Sequence, residues 1–340
     1  MQKFCVIQTA FIGDVVLSTS LIASLHLQYP AAQIDIVVRK GNESLFTGHP
    51  YLHDVIIWDK KQNKYLNWIK VLKQIRSRQY HSVINVQRFA ATGLWTAFSN
   101  ATNKIGFDKN PFSFLFTHKI KHETIQEGFH EIHKNHALIQ TINPAMVLCH
   151  PQLYPTQNDV DFVKEFQHQP YICIAPASVW FTKRFPIEQW IKFLNELNFN
   201  GKVYIIGGPG DKSLGEEIIS SISPQSSIYG NVENLAGQLS FLSSAALQSG
   251  AVLSYVNDSA PMHFASAVNA PVVAIFCSTI PAFGFGPLST KSFIVETKQQ
   301  LSCKPCGIHG RKTCPLNHFN CGNSIQMEQL HAPLVQMKQH

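Results

Sequence analysis

Charge is scarce in this chain. Asp, Glu, Lys and Arg make up 14% of 340 residues while 45% are hydrophobic, which is enough apolar material for a full core and a length that suits two α/β domains better than one. No apolar run is long enough to cross a bilayer, which argues against a helical membrane span. Met1-Gln2-Lys3 leads directly into a short β-like run with no cleavage-site pattern, so no signal peptide is expected and the protein is expected in the cytoplasm. Acidic residues are the rarer sign: 28 Lys and Arg against 21 Asp and Glu leave a net charge of +7. A moderate basic excess fits an anionic substrate or an anionic membrane surface, and charge alone leaves nucleic acid open.

Also missing is a G-x-G-x-x-G turn after the first strand, and the second strand ends in Arg39-Lys40 where a dinucleotide site would place an acid for the ribose. A nicotinamide-dependent oxidoreductase is therefore disfavoured, although doubly wound sheets serve that function too.

Short apolar runs are plentiful. Those at 4–7, 34–38, 55–58 and 82–86 in the first half, and at 171–175, 203–206, 251–256 and 272–276 in the second, alternate with helix-like stretches. Near-continuous apolar strands separated by helices predict parallel sheets covered on both faces. Two prolines and a polar run at 150–158 interrupt the pattern and place the linker.

The first strand runs through Gln8-Thr9-Ala10-Phe11-Ile12-Gly13-Asp14 into an apolar-faced helix, with Gly13 expected to make a tight turn and Asp14 to sit in the first helical turn. Asp14 is either a helix-dipole partner or a carboxylate in the crevice where open α/β sheets bind ligands. Residues 65–76 form a basic amphipathic helix with Leu66, Ile69, Leu72 and Ile75 at helical spacing. Its cationic face with Trp68 is either a solvated surface or a contact for lipid headgroups. His130, His133 and His136 recur at intervals of three, and the third rotates away from the first, so one shared metal is not expected. Asp159 and Asp161 begin a helix on which alternate residues point apart, so this D-x-D is not expected to hold Mg or Mn.

In the second half, Ser178, Thr182, Lys183 and Arg184 follow a strand and can hold a diphosphate, with Lys183 as the point charge and the hydroxyls as donors. Residues 207–211 end the next strand in Gly-Gly-Pro-Gly-Asp, where Asp211 can accept from ribose hydroxyls. Asn257-Asp258-Ser259-Ala260-Pro261-Met262-His263 opens a helix whose first-turn N–H groups suit an anion. Asp258 suits a cap or a ribose partner better than a phosphate ligand, and His263 either satisfies a buried hydrogen bond or acts in the site. Cys5, Cys149, Cys173 and Cys277 lie in or beside apolar runs and read as core residues, whereas Cys303-x2-Cys306-x7-Cys314-x6-Cys321 has the spacing of a structural zinc site.

Taken in this order, Gly13-Asp14, Lys183-Arg184-Phe185-Pro186, residues 207–211, Asn234-Leu235-Ala236-Gly237, the segment 257–263 and the cysteine-rich tail resemble the ADP-heptose:lipopolysaccharide heptosyltransferase family over almost the whole chain. The resemblance implies an α/β GT-B fold of two doubly wound Rossmann-like domains facing a cleft. Residues 1–155 would be the acceptor domain, 156–325 the nucleotide-sugar domain and 326–340 a C-terminal helix or tail. It implies Asp14 as general base, and Ser178, Thr182, Lys183, Asp211, Asp258, Ser259, Ala260 and His263 around an ADP-sugar. Gly13 and Arg88 would lie on the acceptor side, beside Lys64 and Lys104.

Under the same resemblance the reaction is inverting transfer without a catalytic metal, zinc at Cys303, Cys306, Cys314 and Cys321 being structural at most. The acceptor is a lipid-anchored core oligosaccharide at the inner-membrane surface, with the enzyme peripheral to it and no nucleic-acid partner. Three positions depart from the family pattern: Gln8 stands where many relatives carry a cation, Ala260 replaces a glycine, and Cys277-Ser278 replaces Gly-Pro. The contrasting reading is a non-catalytic glycan-binding module of the same fold, or a zinc-dependent nucleic-acid module.

Overall fold

The computed structural model describes residues 1–122 and 128–337, which divide into two compact units, Met1–Tyr154 and Pro155–His340. In the first unit, strands β1 (Lys3–Ile7), β2 (Gln33–Arg39), β3 (Asp54–Trp58), β4 (Ser82–Asn85), β5 (Asn103–Phe107) and β6 (His118–Ile120) form one parallel sheet in the order β3-β2-β1-β4-β5-β6. Helices α1 (Ile12–Gln28), α2 (Lys64–Ser77), α3 (Ala90–Ala97) and α4 (Glu131–Gln140) cover it.

The second unit repeats the plan with β7 (Tyr171–Ala175), β8 (Lys202–Ile205), β9 (Val232–Asn234), β10 (Leu253–Asn257), β11 (Val272–Phe276) and β12 (Ser292–Glu296), in the order β12-β11-β10-β7-β8-β9. Its helices are α5 (Gln157–Val163), α6 (Ile187–Glu196), α7 (Lys212–Ser220), α8 (Phe241–Ser249), α9 (Ala260–Ala267), α10 (Asn320–Asn323) and α11 (Met327–Met337). Counted from its own first strand, each sheet has the order 3-2-1-4-5-6, so each has a switch point between its first and fourth strands.

The central strands explain the cores. Phe4, Cys5, Val6 and Ile7 of β1 are fully buried and pair in parallel with β2 and β4, Cys5 lying beside Asp35 on one side and Val83 on the other. In the second sheet Tyr255 of β10 lies between Ile174 and Val273. Helix α11 belongs to that second core rather than hanging from it: Leu330 and Leu334 are buried, and the Tyr255 hydroxyl donates to the Leu330 carbonyl at 3.0 Å. No described helix is long and apolar enough to cross a membrane.

Several local expectations are corrected. Gly13 is not in the turn before α1 but in the helix's first turn, without a left-handed φ. On α2 the buried side chains are Val71 and Ile75, with Trp68 and Leu72 packed beside them. The Trp68 indole donates to the Ala91 carbonyl at 2.9 Å, and its ring stacks at 6.0 Å on Trp95. Trp68 thus faces protein, and Leu66 and Ile69 of the expected inner stripe face out. Cys149 is half-buried rather than a core residue. Lys104 lies beside Val83 near the amino-terminal end of β5, away from the carboxyl edge where ligands bind.

Two of the three spaced histidines cap α4: His130 accepts from the Ile132 amide at 3.3 Å, and His133 Nδ1 from the His130 amide at 3.0 Å. Glu127, at the head of that histidine segment, lies outside the described residues. Asp159 serves as the third residue of α5, in a capping box with Thr156, and also accepts from Ser240 and Ser243, while Asp161 pairs with Lys164 at 2.5 Å. The two acids of this D-x-D therefore engage different partners.

Candidate active site

The carboxyl edge of the first sheet is built on amide side chains. Gln8, 2% exposed, follows β1 and turns back on its own loop: its Oε1 accepts from the Ala10 amide at 3.2 Å, and its Nε2 donates to the Asp14 carbonyl at 3.4 Å. Gln87, which follows β4, donates to the same Gln8 Oε1, and Asn85 Oδ1 accepts from the Gln87 amide at 2.9 Å. Asn42 and Lys60 hold the Ala10 and Thr9 carbonyls at 3.2 and 3.3 Å. The departure at Gln8 thus has a structural account, because the amide spans β1, β4 and the start of α1.

This loop presents Asp14, half-buried, in the first turn of α1, which no side chain caps at Phe11. Arg39, at the end of β2, lies within electrostatic reach of Asp14 and sits 4.9 Å over the Phe11 ring. Glu131, opening α4, also feels Asp14. Its burial raises the Glu131 pKa, an effect that its partner Lys134 opposes and the Asp14 charge reinforces. Arg88 is exposed just beyond β4 and lies within electrostatic reach of both Glu131 and His122. The sequence alone did not bring Arg39 and Glu131 into the neighbourhood of Asp14. The available signal was position alone: each stands at a strand end or a helix start on the carboxyl edge.

The corresponding edge of the second sheet is built on an ion pair. Lys183 follows β7, and its Nζ lies 2.7 Å from Oδ2 of Asp258, which follows β10. The Thr279 hydroxyl donates to the same oxygen at 2.6 Å. Asn257 ties the two loops together, accepting from the Phe185 amide at 2.9 Å and donating to the Pro176 carbonyl at 2.8 Å. Arg184 Nε donates to the Ser178 carbonyl at 2.6 Å and clamps the loop.

Asp258 caps nothing. It is 6% exposed and holds Lys183 in place, using one of the three N–H donors that a lysine ammonium carries. The hydroxyl of Ser259, at the N-cap position of α9, donates to the Asn257 carbonyl, so no side chain closes that helix's first turn at Ala260. Such an open turn suits phosphate. His263 is 5% exposed within α9.

Thr182 corrects the expectation of a ligand hydroxyl. It is 2% exposed, and its Oγ1 accepts from the Ser278 hydroxyl at 2.9 Å and the Arg311 amide at 2.8 Å. Ser278 and Arg311 thus brace the Lys183 loop from behind. Asp211 caps the turn after β8, accepting from the Gly208 amide at 2.8 Å. Gly237, after β9, has φ +81° and packs so closely that an added Cβ would lie 2.8 Å from Pro209 Cα.

The cysteine segment runs behind the same loop. The Cys306 amide donates to the Ser278 carbonyl at 2.8 Å, and an added Cβ at Gly310 would lie 2.9 Å from Lys183 Cγ. All eight cysteines are free. Burial pushes the Cys321 thiol up to about 11, opposed by Lys304 and reinforced by Cys314, Cys303 and Cys306. Among the described residues no three His, Cys, Asp or Glu side chains are arranged to hold an ion, so the zinc site expected from spacing is not formed by this geometry.

The second sheet's switch point thus holds a cation, and the first sheet's presents a carboxylate. Comparison with known proteins decides the class, because residues 68–318 match the model of glycosyltransferase family 9 (heptosyltransferase). The chain belongs to that family. It is a glycosyltransferase with a GT-B-like fold. It is 26% identical to lipopolysaccharide heptosyltransferase 3 of Escherichia coli over 280 residues, covering 79% of this chain and 82% of the relative. Among solved structures it resembles the family 9 glycosyltransferase of Veillonella parvula, with TM-score 0.82, 19% identity and 98% of each chain covered. It also resembles the E. coli ADP-heptose lipopolysaccharide heptosyltransferase II, with TM-score 0.75 and 20% identity over 99% of this chain and 100% of that one.

Proposed function

We propose that this family 9 enzyme moves a heptose from an ADP-sugar to a hydroxyl of the lipopolysaccharide inner core, with inversion at the anomeric carbon and without a divalent cation. The observation that carries the reading is the Lys183–Asp258 pair at the second sheet's switch point, with the open start of α9 beside it. Negative charge develops on the leaving ADP as the anomeric bond breaks. Lys183, the Ser178 and Ser259 hydroxyls and the Ala260 turn stabilise it, the role a metal plays elsewhere. Asp211 serves the ribose, and His263 supports the donor from within α9. The similarity to heptosyltransferases of lipopolysaccharide, with an ADP-heptose enzyme among the solved structures, supports the choice of sugar, nucleotide and acceptor.

Asp14 takes the acceptor hydroxyl's proton as that oxygen attacks the anomeric carbon opposite the departing phosphate oxygen, so the stereochemistry inverts. Gly13 leaves room for the acceptor beside the carboxylate, and Arg88 and Arg39 complement its acidic groups. Such an acceptor is anchored in lipid and places the enzyme at the cytoplasmic surface of the inner membrane, with no role for nucleic acid. The test is transfer from ADP-heptose to a truncated core acceptor in the presence of EDTA, with Asp14→Asn as control. Turnover is expected for the parent protein, with a loss of ~10²–10⁴ in the variant at unchanged donor affinity. A near-parental rate for Asp14→Asn removes Asp14 from the role, and activity abolished by EDTA removes the cation-free mechanism.

A further inference from the structure

Between residues 60 and 79 the chain carries seven cations and no acid, a quarter of its 28 Lys and Arg in 20 residues. The fold turns this stretch so that Trp68, Val71, Leu72 and Ile75 of α2 pack on the protein. What remains outside is an apolar stripe among cations: Tyr65 is 79% exposed, Leu66 68% and Ile69 43%. At 100° per residue these three share one face with Lys70, Lys73 and Arg76, all exposed. The nearest preceding acid, Asp59, is already paired with Lys40 at 2.8 Å.

We infer that the outer face of α2 docks on an anionic lipid bilayer, with Tyr65, Leu66 and Ile69 entering the headgroup boundary and Lys70, Lys73 and Arg76 meeting lipid phosphates. Three large apolar side chains exposed on one short helix do not pay for themselves in water, and their wholly cationic surroundings select a negative partner. The lysine stems reach alongside the apolar groups while their heads stay wet. A second copy of this chain is the poorer occupant, since a two-fold contact would set this face against itself and bring like charges together. The inference deepens the membrane reading of the proposed function by naming the surface, and it is tested without turnover.

The experiment is flotation of the full-length protein with vesicles of phosphatidylethanolamine and phosphatidylglycerol, against vesicles of phosphatidylcholine alone. Binding is expected only with the anionic lipid and is expected to weaken as salt rises. Leu66→Gln with Ile69→Gln, and separately Lys70→Glu with Lys73→Glu, should each weaken binding about tenfold or more, with circular dichroism and transfer to a lipid-free acceptor unchanged. Parental binding by both variants overturns the inference, as does absence of binding by the parent. Loss of a dimer in the Leu66/Ile69 variant, with vesicle binding intact, overturns it in favour of self-association. Vesicle binding that persists in an inactive protein leaves this surface standing and removes only the transferase reading.

Discussion

The two units share one strand order but arm it with opposite chemistry. At the first switch point Gln8 and Gln87 join β1 to β4, and the group set above them is a carboxylate, Asp14. At the second, Lys183 and Asp258 join β7 to β10, and the group offered is an ammonium. Loop length makes the difference. Four residues separate β1 from α1, so the acid rides on the helix, whereas the eleven residues between β7 and α6 carry the cation on a loop that Asn257, Arg184, Ser278 and Arg311 must brace. A shared topology therefore supplies the place, and the connection after the first strand supplies the role.

This contrast can be broken from either side. Asp14→Asn should have the largest effect, removing turnover by ~10²–10⁴ while donor binding stays. Lys183→Ala should do the reverse, weakening ADP-sugar binding by roughly tenfold to a hundredfold in a calorimetric titration. It should also lower the melting temperature, because Asp258 is left as a buried charge. Asp258→Asn added to Lys183→Ala should recover part of the melting temperature and none of the donor affinity, which separates the structural from the ligand-binding share of the pair.

Acid should distinguish the units next. Burial pushes His49 and His122, both in the first unit, down to about 4, with neighbouring charges on His26, Lys134, Arg88 and Lys109 assisting. A base whose folded pKa lies below its unfolded value of about 6.5 adds stability above that value and loses it as pH falls toward 4, each histidine contributing at most ~3 kcal/mol. The first unit is therefore expected to lose hydrogen-exchange protection before the second as pH is lowered from 6.5 to 4, and His49→Leu should narrow the gap. The smallest effect is expected at Gly237. Its left-handed φ and contact with Pro209 make Gly237→Ala cost ~1–3 kcal/mol, seen as a lower melting temperature, with protection lost first around β8 and β9.

Eight of the twelve strands among the described residues were legible as apolar runs, and seven of the eight are interior strands, which in a parallel sheet are buried on both faces. The four that were not are β5, β6, β9 and β12, of which β6, β9 and β12 are edge or terminal strands with sequences such as His-Lys-Ile and Val-Glu-Asn. An edge strand has fewer neighbours to satisfy, so polar residues are tolerated and the pattern fades. The places of Asp14, Lys183 and Asp258 were legible because each lies in the connection or helix that follows an apolar strand. Their partners were not: Lys183 and Asp258 are 75 residues apart in sequence, and Thr182 meets Ser278 and Arg311 only after β7, β10 and β11 are laid side by side.

Composition and period by themselves determined two parallel-sheet units and acidic and basic residues at strand ends, and placed a linker at residues 150–158, because burial on two faces demands apolar strands and leaves polar residues to the loops. Only the tertiary structure decided which hydroxyls and amides are spent within the protein and which side of α2 faces out. Two overlapping apolar stripes on that helix satisfy the same 3.6-residue period, and the choice between them falls to Trp95, whose ring and Trp68's pack together from elements far apart in the chain.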